Sequence, residues 1–70
     1  MIWVGGSNMP TVTMEIYPGR TIDQKRAMVK KVTEALVETI NCKPEAVKII
    51  IREISKENIS DNGVLHCDKI

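Results

Sequence analysis

Seventy residues allow one small domain, and a chain of this size buries too small a share of its surface to hold a large core of its own. Ten Lys and Arg against nine Asp and Glu leave a net charge of +1, which gives no electrostatic reason to expect nucleic acid or an anionic membrane as partner. Phe is absent and the only aromatics are Trp3 and Tyr17, which argues against a stacking platform for single-stranded nucleic acid and leaves the core to Ile, Val, Leu and Met.

Small domains are usually stapled by disulfides, a metal or self-association. Cys42 and Cys67 allow at most one bridge and read as ordinary free thiols, so self-association is the expectation. No apolar run reaches the length of a transmembrane helix, and the start lacks the charged and apolar regions of a secretory signal, which predicts a cytoplasmic protein.

Met1 to Asn8 shows neither strand nor helix periodicity, and residues 1–9 are expected to be a flexible lead-in or a misassigned start. Glycine codons begin GG, so Gly5-Gly6 fits a purine-rich ribosome-binding sequence shortly before the Met9 codon. Synthesis from Met9 followed by methionine removal would leave Pro10 first, with a free secondary amine. The structural reading of Pro10 is a proline that simply opens a strand.

From Thr11 to Tyr17 the residues alternate, with Val12, Met14 and Ile16 on one face and Thr11, Thr13, Glu15 and Tyr17 on the other, the pattern of a half-buried strand. Pro18-Gly19 breaks it. Thr21 with Gln24 forms a capping box, which predicts a helix from about Ile22. Its apolar stripe is Met28, Val29, Val32, Ala35, Leu36, Thr39 and Ile40, and Asn41 followed by Pro44 ends it near Ile40 or Asn41.

Val47 to Ile54 is rich in β-branched residues and apolar on both faces, which predicts a strand buried on both sides. Strand, helix, strand with short joints is a β-α-β unit with parallel strands and a right-handed crossover. One helix covers one face only. The remaining face, expected to include Ile49 and Ile51, should be buried against another copy of the chain. Asp61-Asn62-Gly63 before Val64-Leu65 predicts a short C-terminal hairpin.

The spacing of Pro10, Gly19-Arg20, Gln24-Lys25 and Val47-Lys48-Ile49-Ile50-Ile51, with a Gly-bearing tail, resembles the 4-oxalocrotonate tautomerase family from Pro10 to about Leu65. The resemblance implies an α+β domain over residues 10–70, a β-α-β protomer that assembles into dimers and hexamers. It also implies a cofactor-independent isomerase in which an amino-terminal proline, here Pro10, is the general base acting on 2-hydroxymuconate-like unsaturated 2-keto acids. Arg20 matches the family arginine that binds a substrate carboxylate. Lys48 lies where a second arginine polarises the keto oxygen from a neighbouring subunit, and Ile59 where an aromatic residue usually lines the pocket. A lysine lacks the bidentate fork, so Lys48 predicts looser substrate orientation, and Ile59 predicts altered selectivity in a pocket that stays dry. Arg52, on the face of Lys48, is a reserve cation.

The partners so implied are a small anionic keto or enol acid and further copies of the chain. The rival readings are a water-activating hydratase or dehalogenase relative, and a non-catalytic oligomeric scaffold in which Pro10 stays acylated. His66-Cys67-Asp68 makes a poor metal site, because adjacent residues rarely converge on one ion and no further ligands are evident.

Overall fold

The computed structural model describes residues 9–69. The predicted lead-in over residues 1–8, with Trp3, lies outside the described residues. Strand β1 spans Thr11–Ile16, helix α1 Ile22–Ile40 and strand β2 Lys48–Glu53, followed by a hairpin of β3, Ser60–Asp61, and β4, Val64–Leu65. Short 3-10 turns at Pro44–Ala46, Lys56–Asn58 and His66–Asp68 fill the joints.

Each boundary has a local cause. The Thr21 backbone N–H donates to Gln24 Oε1 at 2.9 Å and the Gln24 N–H donates to Thr21 Oγ1 at 3.1 Å, the reciprocal capping box expected at the helix start. Asn41 ends the helix in the left-handed region, with φ 62°. In the hairpin, Asn62 and Gly63 take φ of 55° and 80°, the pair of positive values that a two-residue turn needs to match the strand twist.

Strands β1 and β2 pair in parallel, from Thr11 opposite Lys48 to Ile16 opposite Glu53. The ladder is extended at both ends, by Lys48 N–H to the Pro10 carbonyl at 3.0 Å and Ile54 N–H to the Ile16 carbonyl at 2.8 Å. This register places Val12, Met14, Ile16, Ile49 and Ile51 together on the half-buried face. Thr11, Thr13, Glu15, Lys48, Ile50 and Arg52 occupy the other face, all exposed.

Two expectations are corrected here. Strand β2 is not buried on both sides in the protomer: it alternates, and Ile50 is 39% exposed. The uncovered face is therefore that of Ile50 with Lys48 and Arg52, whereas Ile49 and Ile51 sit on the face the helix covers. Three consecutive isoleucines hide the alternation that the pairing register reveals. The helix stripe also differs. Lys25, Met28, Val29, Val32, Thr33, Leu36 and Val37 are half-buried, while Ala35, Thr39 and Ile40 are exposed. Nineteen helical residues rise about 28 Å and six strand residues span about 20 Å, so the last helical turn overhangs the sheet.

Cys42, 7% exposed, is the only buried residue among the described residues. The apolar side chains of the described residues have one layer to pack on and none behind it. Both cysteines are free, Cys67 being exposed. No helix among the described residues is long and apolar enough to cross a membrane.

Candidate active site

Pro10 is half-buried immediately ahead of β1, and its carbonyl accepts the Lys48 N–H. These two expected site residues thus meet through the backbone at the N-terminal end of the parallel pair. Lys48 is exposed, on the uncovered sheet face with Thr11 and Ile50. Within the 70-residue chain the Pro10 nitrogen is bonded to Met9, which is 67% exposed, and a tertiary amide nitrogen has no basicity to offer.

Arg20 lies at the opposite end. Gly19, at φ 121°, turns the chain between the end of β1 and the capped start of α1, a backbone region that side-chain-bearing residues rarely enter. Arg20 follows that turn and is exposed. Lys25, one turn into the helix, is tied to Glu53 at the end of β2 at 2.5 Å, which fixes the helix start against the sheet on which Arg20 depends.

Ile59 is half-buried and extended just before β3, and its carbonyl accepts the His66 N–H at 2.8 Å. His66 in turn takes a hydrogen bond from the Tyr17 hydroxyl directly after β1, so Ile59 stands at the Arg20 end of the protomer. Six steps along β1 at about 3.3 Å separate Pro10 from Ile16 by roughly 20 Å. The structure therefore joins Pro10 to Lys48 at one end of the sheet and leaves Arg20 and Ile59 toward the other, with no contact between those two side chains among the hydrogen bonds and ion pairs of the described residues.

Reasoning from sequence missed the cluster between the tail and β1. His66 Nε2 donates to Asp61 Oδ2 at 2.7 Å and Lys69 Nζ to the same oxygen at 2.9 Å. The hydrogen bond from Lys69, then that from His66, hold the Asp61 carboxyl below the usual carboxylate range. The Lys56 ammonium sits 5.3 Å over the Tyr17 ring centroid, and the Tyr17 and His66 rings meet edge to face at 5.9 Å. Tyr17 and His66 are 49 residues apart, and nothing local announces their contact. His66, Cys67 and Asp68 do not form a metal-binding group, and no such group of three ligands occurs among the described residues.

A parallel β-α-β protomer with a terminal hairpin, opening on a proline beside a cationic residue and carrying an arginine at its first turn, defines a small tautomerase-like α+β protein. Residues 10–65 match the family model for the tautomerase enzymes, and the chain belongs to that family. A probable tautomerase of Halalkalibacterium halodurans is 44% identical over 55 residues, covering 79% of this chain and 90% of that protein. The 2-hydroxymuconate tautomerase of Bacillus subtilis is 42% identical over 55 residues, covering 79% and 89%. Among solved structures, YwhB, a homologue of 4-oxalocrotonate tautomerase, superposes with a TM-score of 0.82 at 38% identity, covering 87% of this chain and all of that one. A 4-oxalocrotonate tautomerase isozyme from Methylibium petroleiphilum gives 0.77 at 38% identity, covering 83% and 91%.

Proposed function

We propose that the protein is a cofactor-independent keto-enol tautomerase of 2-hydroxymuconate-like unsaturated 2-keto acids, with Pro10 as its general base once that residue is N-terminal. The observation that carries the reading is the position of Pro10: half-buried at the mouth of β1, bonded through its carbonyl to Lys48, at the first residue of the family match.

An α-amino group titrates near 7.7 to 8.0 in model peptides, and a more basic proline amine would be protonated at neutral pH. Burial and nearby cations both disfavour the charged form, so an apolar pocket with Arg20, Lys48 and Ile59 around it makes Pro10 available as a base. The amine takes the proton from the enol hydroxyl of the substrate. The oxygen's electron pair forms the carbonyl, the conjugated double bonds shift, and the far carbon receives the proton back from the same nitrogen. Arg20 holds a carboxylate through its guanidinium fork, and Lys48 stabilises the charge that develops on the keto or enolate oxygen. General base catalysis of this kind contributes roughly a hundredfold to ten-thousandfold.

The roughly 20 Å between the two residue pairs means that one chain cannot complete this site. In this proposal a second copy, lying on the uncovered face or edge of the sheet, brings its Arg20 and Ile59 to the first copy's Pro10, and the Lys48 that faces the keto oxygen comes from a neighbouring subunit. The exposure of Ile50 and the near absence of buried residues among the described residues support association as a homodimer or a larger homo-oligomer such as a hexamer.

The test is the ultraviolet absorbance decay of enol phenylpyruvate or 2-hydroxymuconate, using protein expressed from the Met9 codon and checked by intact mass. Pro10→Ala should be slower by about two orders of magnitude or more. Equal rates for wild type and variant would refute the assignment of the base, and a mass that retains Met9 in an active protein would refute the free amine.

A further inference from the structure

We infer that Tyr17, His66 and Asp61 form a clasp that fixes the C-terminal hairpin to the end of β1, and that they are positioning residues for Ile59 and hence for substrate fit. The parts are continuous. Tyr17 is the first residue after β1, His66 the first after β4, and Asp61 lies in β3, so the three side chains join three segments that share no long ladder.

Donor and acceptor roles follow from the chemistry of the groups. The Asp61 carboxylate, bonded also by Lys69, can only accept, so His66 Nε2 carries the proton. In the neutral ring Nδ1 is then a bare acceptor, and the Tyr17 hydroxyl donates to it. The His66 ring is the sheltered member of the cluster, its side chain 19% exposed against 65% for Asp61. The same residue's backbone N–H donates to the Ile59 carbonyl. His66 therefore holds Ile59 with its main chain while its ring holds β1 on one side and β3 on the other. The Lys56 ammonium lies over one face of the Tyr17 ring.

The hairpin itself has two residues in each strand, far too few to hold a fixed place unaided. Its placement relative to Arg20, three residues beyond Tyr17, thus depends on the clasp. The consequence for substrate rests on the reading of Ile59 as a pocket residue; the consequence for the hairpin does not.

Tyr17 is the sole tyrosine and His66 the sole histidine of the chain, so both are read without spectral overlap. In the full 70-residue chain, nitrogen NMR should find the neutral His66 ring protonated at Nε2, and Tyr17→Phe, which keeps the ring and removes only the hydroxyl, should speed amide exchange at His66 by roughly three- to tenfold. Asp61→Ala should do the same. In protein expressed from the Met9 codon, Tyr17→Phe should raise KM by a similar factor with kcat nearly unchanged. Unaltered His66 exchange in both variants would overturn the clasp, whatever the activity. Faster exchange with an unaltered KM would overturn the positioning of substrate. Loss of dependence on Pro10 would instead strike the assignment of the base and leave the exchange result to decide the clasp.

Discussion

Mixing two inactive variants tests the separation of the site residues directly. In the proposed site Pro10→Ala removes the base and Arg20→Ala removes the carboxylate anchor. Charge-assisted hydrogen bonds contribute about 1.5–3 kcal/mol, so Arg20→Ala should keep less than about a tenth of wild-type kcat/KM, and Pro10→Ala about a hundredth or less. If each site takes Pro10 from one chain and Arg20 from another, as the roughly 20 Å along β1 requires, then in an equimolar co-refolded mixture a site receives an intact Pro10 half the time and an intact Arg20 half the time. The product predicts about one quarter of wild-type activity, several times the mean of the separate variants. The assay is the same enol decay, on protein expressed from the Met9 codon and refolded together from denaturant. A mixture no more active than that mean would show that one chain supplies both residues, and the argument from strand length would fail.

Three further outcomes are expected. Thr21→Ala removes the acceptor for the Gln24 N–H and should cost about 1 kcal/mol, lowering the thermal midpoint by roughly 4–8 °C in a circular-dichroism melt, with substrate turnover at 25 °C little changed. Asp61 is held below the ordinary carboxylate range in the folded chain, so at acid pH the unfolded chain binds the extra proton first. Its contribution is complete above the unfolded value of about 3.9 and is lost as pH falls through the lowered folded value, so the stability gap between wild type and Asp61→Asn in urea titrations should narrow from pH 6 to pH 3. In the proposed site Lys48→Arg would supply a bidentate fork and should lower KM for a dicarboxylate by roughly threefold to tenfold, whereas Arg52→Ala, four residues and about 13 Å further along β2, should not change it.

What was legible in the sequence is what local chemistry decides. Thr21 and Gln24 cap one another across three residues, Asn41 tolerates the left-handed backbone that stops α1, and Asn62-Gly63 supplies the two positive φ values of the hairpin, so each element end follows from a handful of neighbours. The parallel pairing followed from the length of the crossover. Which face of β2 is covered was not legible, because Ile49, Ile50 and Ile51 carry the same hydrophobic signal on both sides and only the register with Val12 and Met14 separates them. The candidate residues Pro10, Arg20, Lys48 and Ile59 came from the resemblance to the tautomerase family. Their division between two ends of the protomer came from the fold. The contact of Tyr17 with His66 has no counterpart in any local pattern, since neither residue's type nor its neighbours implies the other.

The polarity of the sheet bears on how a complete site forms. Parallel strands start at the same end, so Pro10 and Lys48 necessarily share one edge of the protomer, and whatever follows the strands, Arg20 after β1 and Ile59 after β2, necessarily lies at the other. A translated copy stacked in the same direction would set like against like along its side and could join unlike ends only in an open head-to-tail chain. A copy related by a twofold axis perpendicular to the strands runs the opposite way, placing its Arg20 end beside the first copy's Pro10 end, and by symmetry the reverse. In the proposed assembly one such contact would bring the two unlike ends together twice and cover apolar surface such as Ile50, which the single helix leaves exposed. The same geometry makes the Tyr17, His66 and Asp61 clasp matter at a distance from its own chain's proline, since the hairpin it steadies would serve the neighbour's site. Mixed oligomers of Tyr17→Phe and Pro10→Ala chains should therefore show the raised KM only where the Tyr17→Phe chain supplies the hairpin and its partner the amine. In that pair the partner lacks the amine, so the one site that turns over in a heteropair takes its hairpin from the Pro10→Ala chain and should show wild-type KM, while pairs of two Tyr17→Phe chains keep the raised value; a raised KM at every active site of the mixture would assign the hairpin to the same chain as the base.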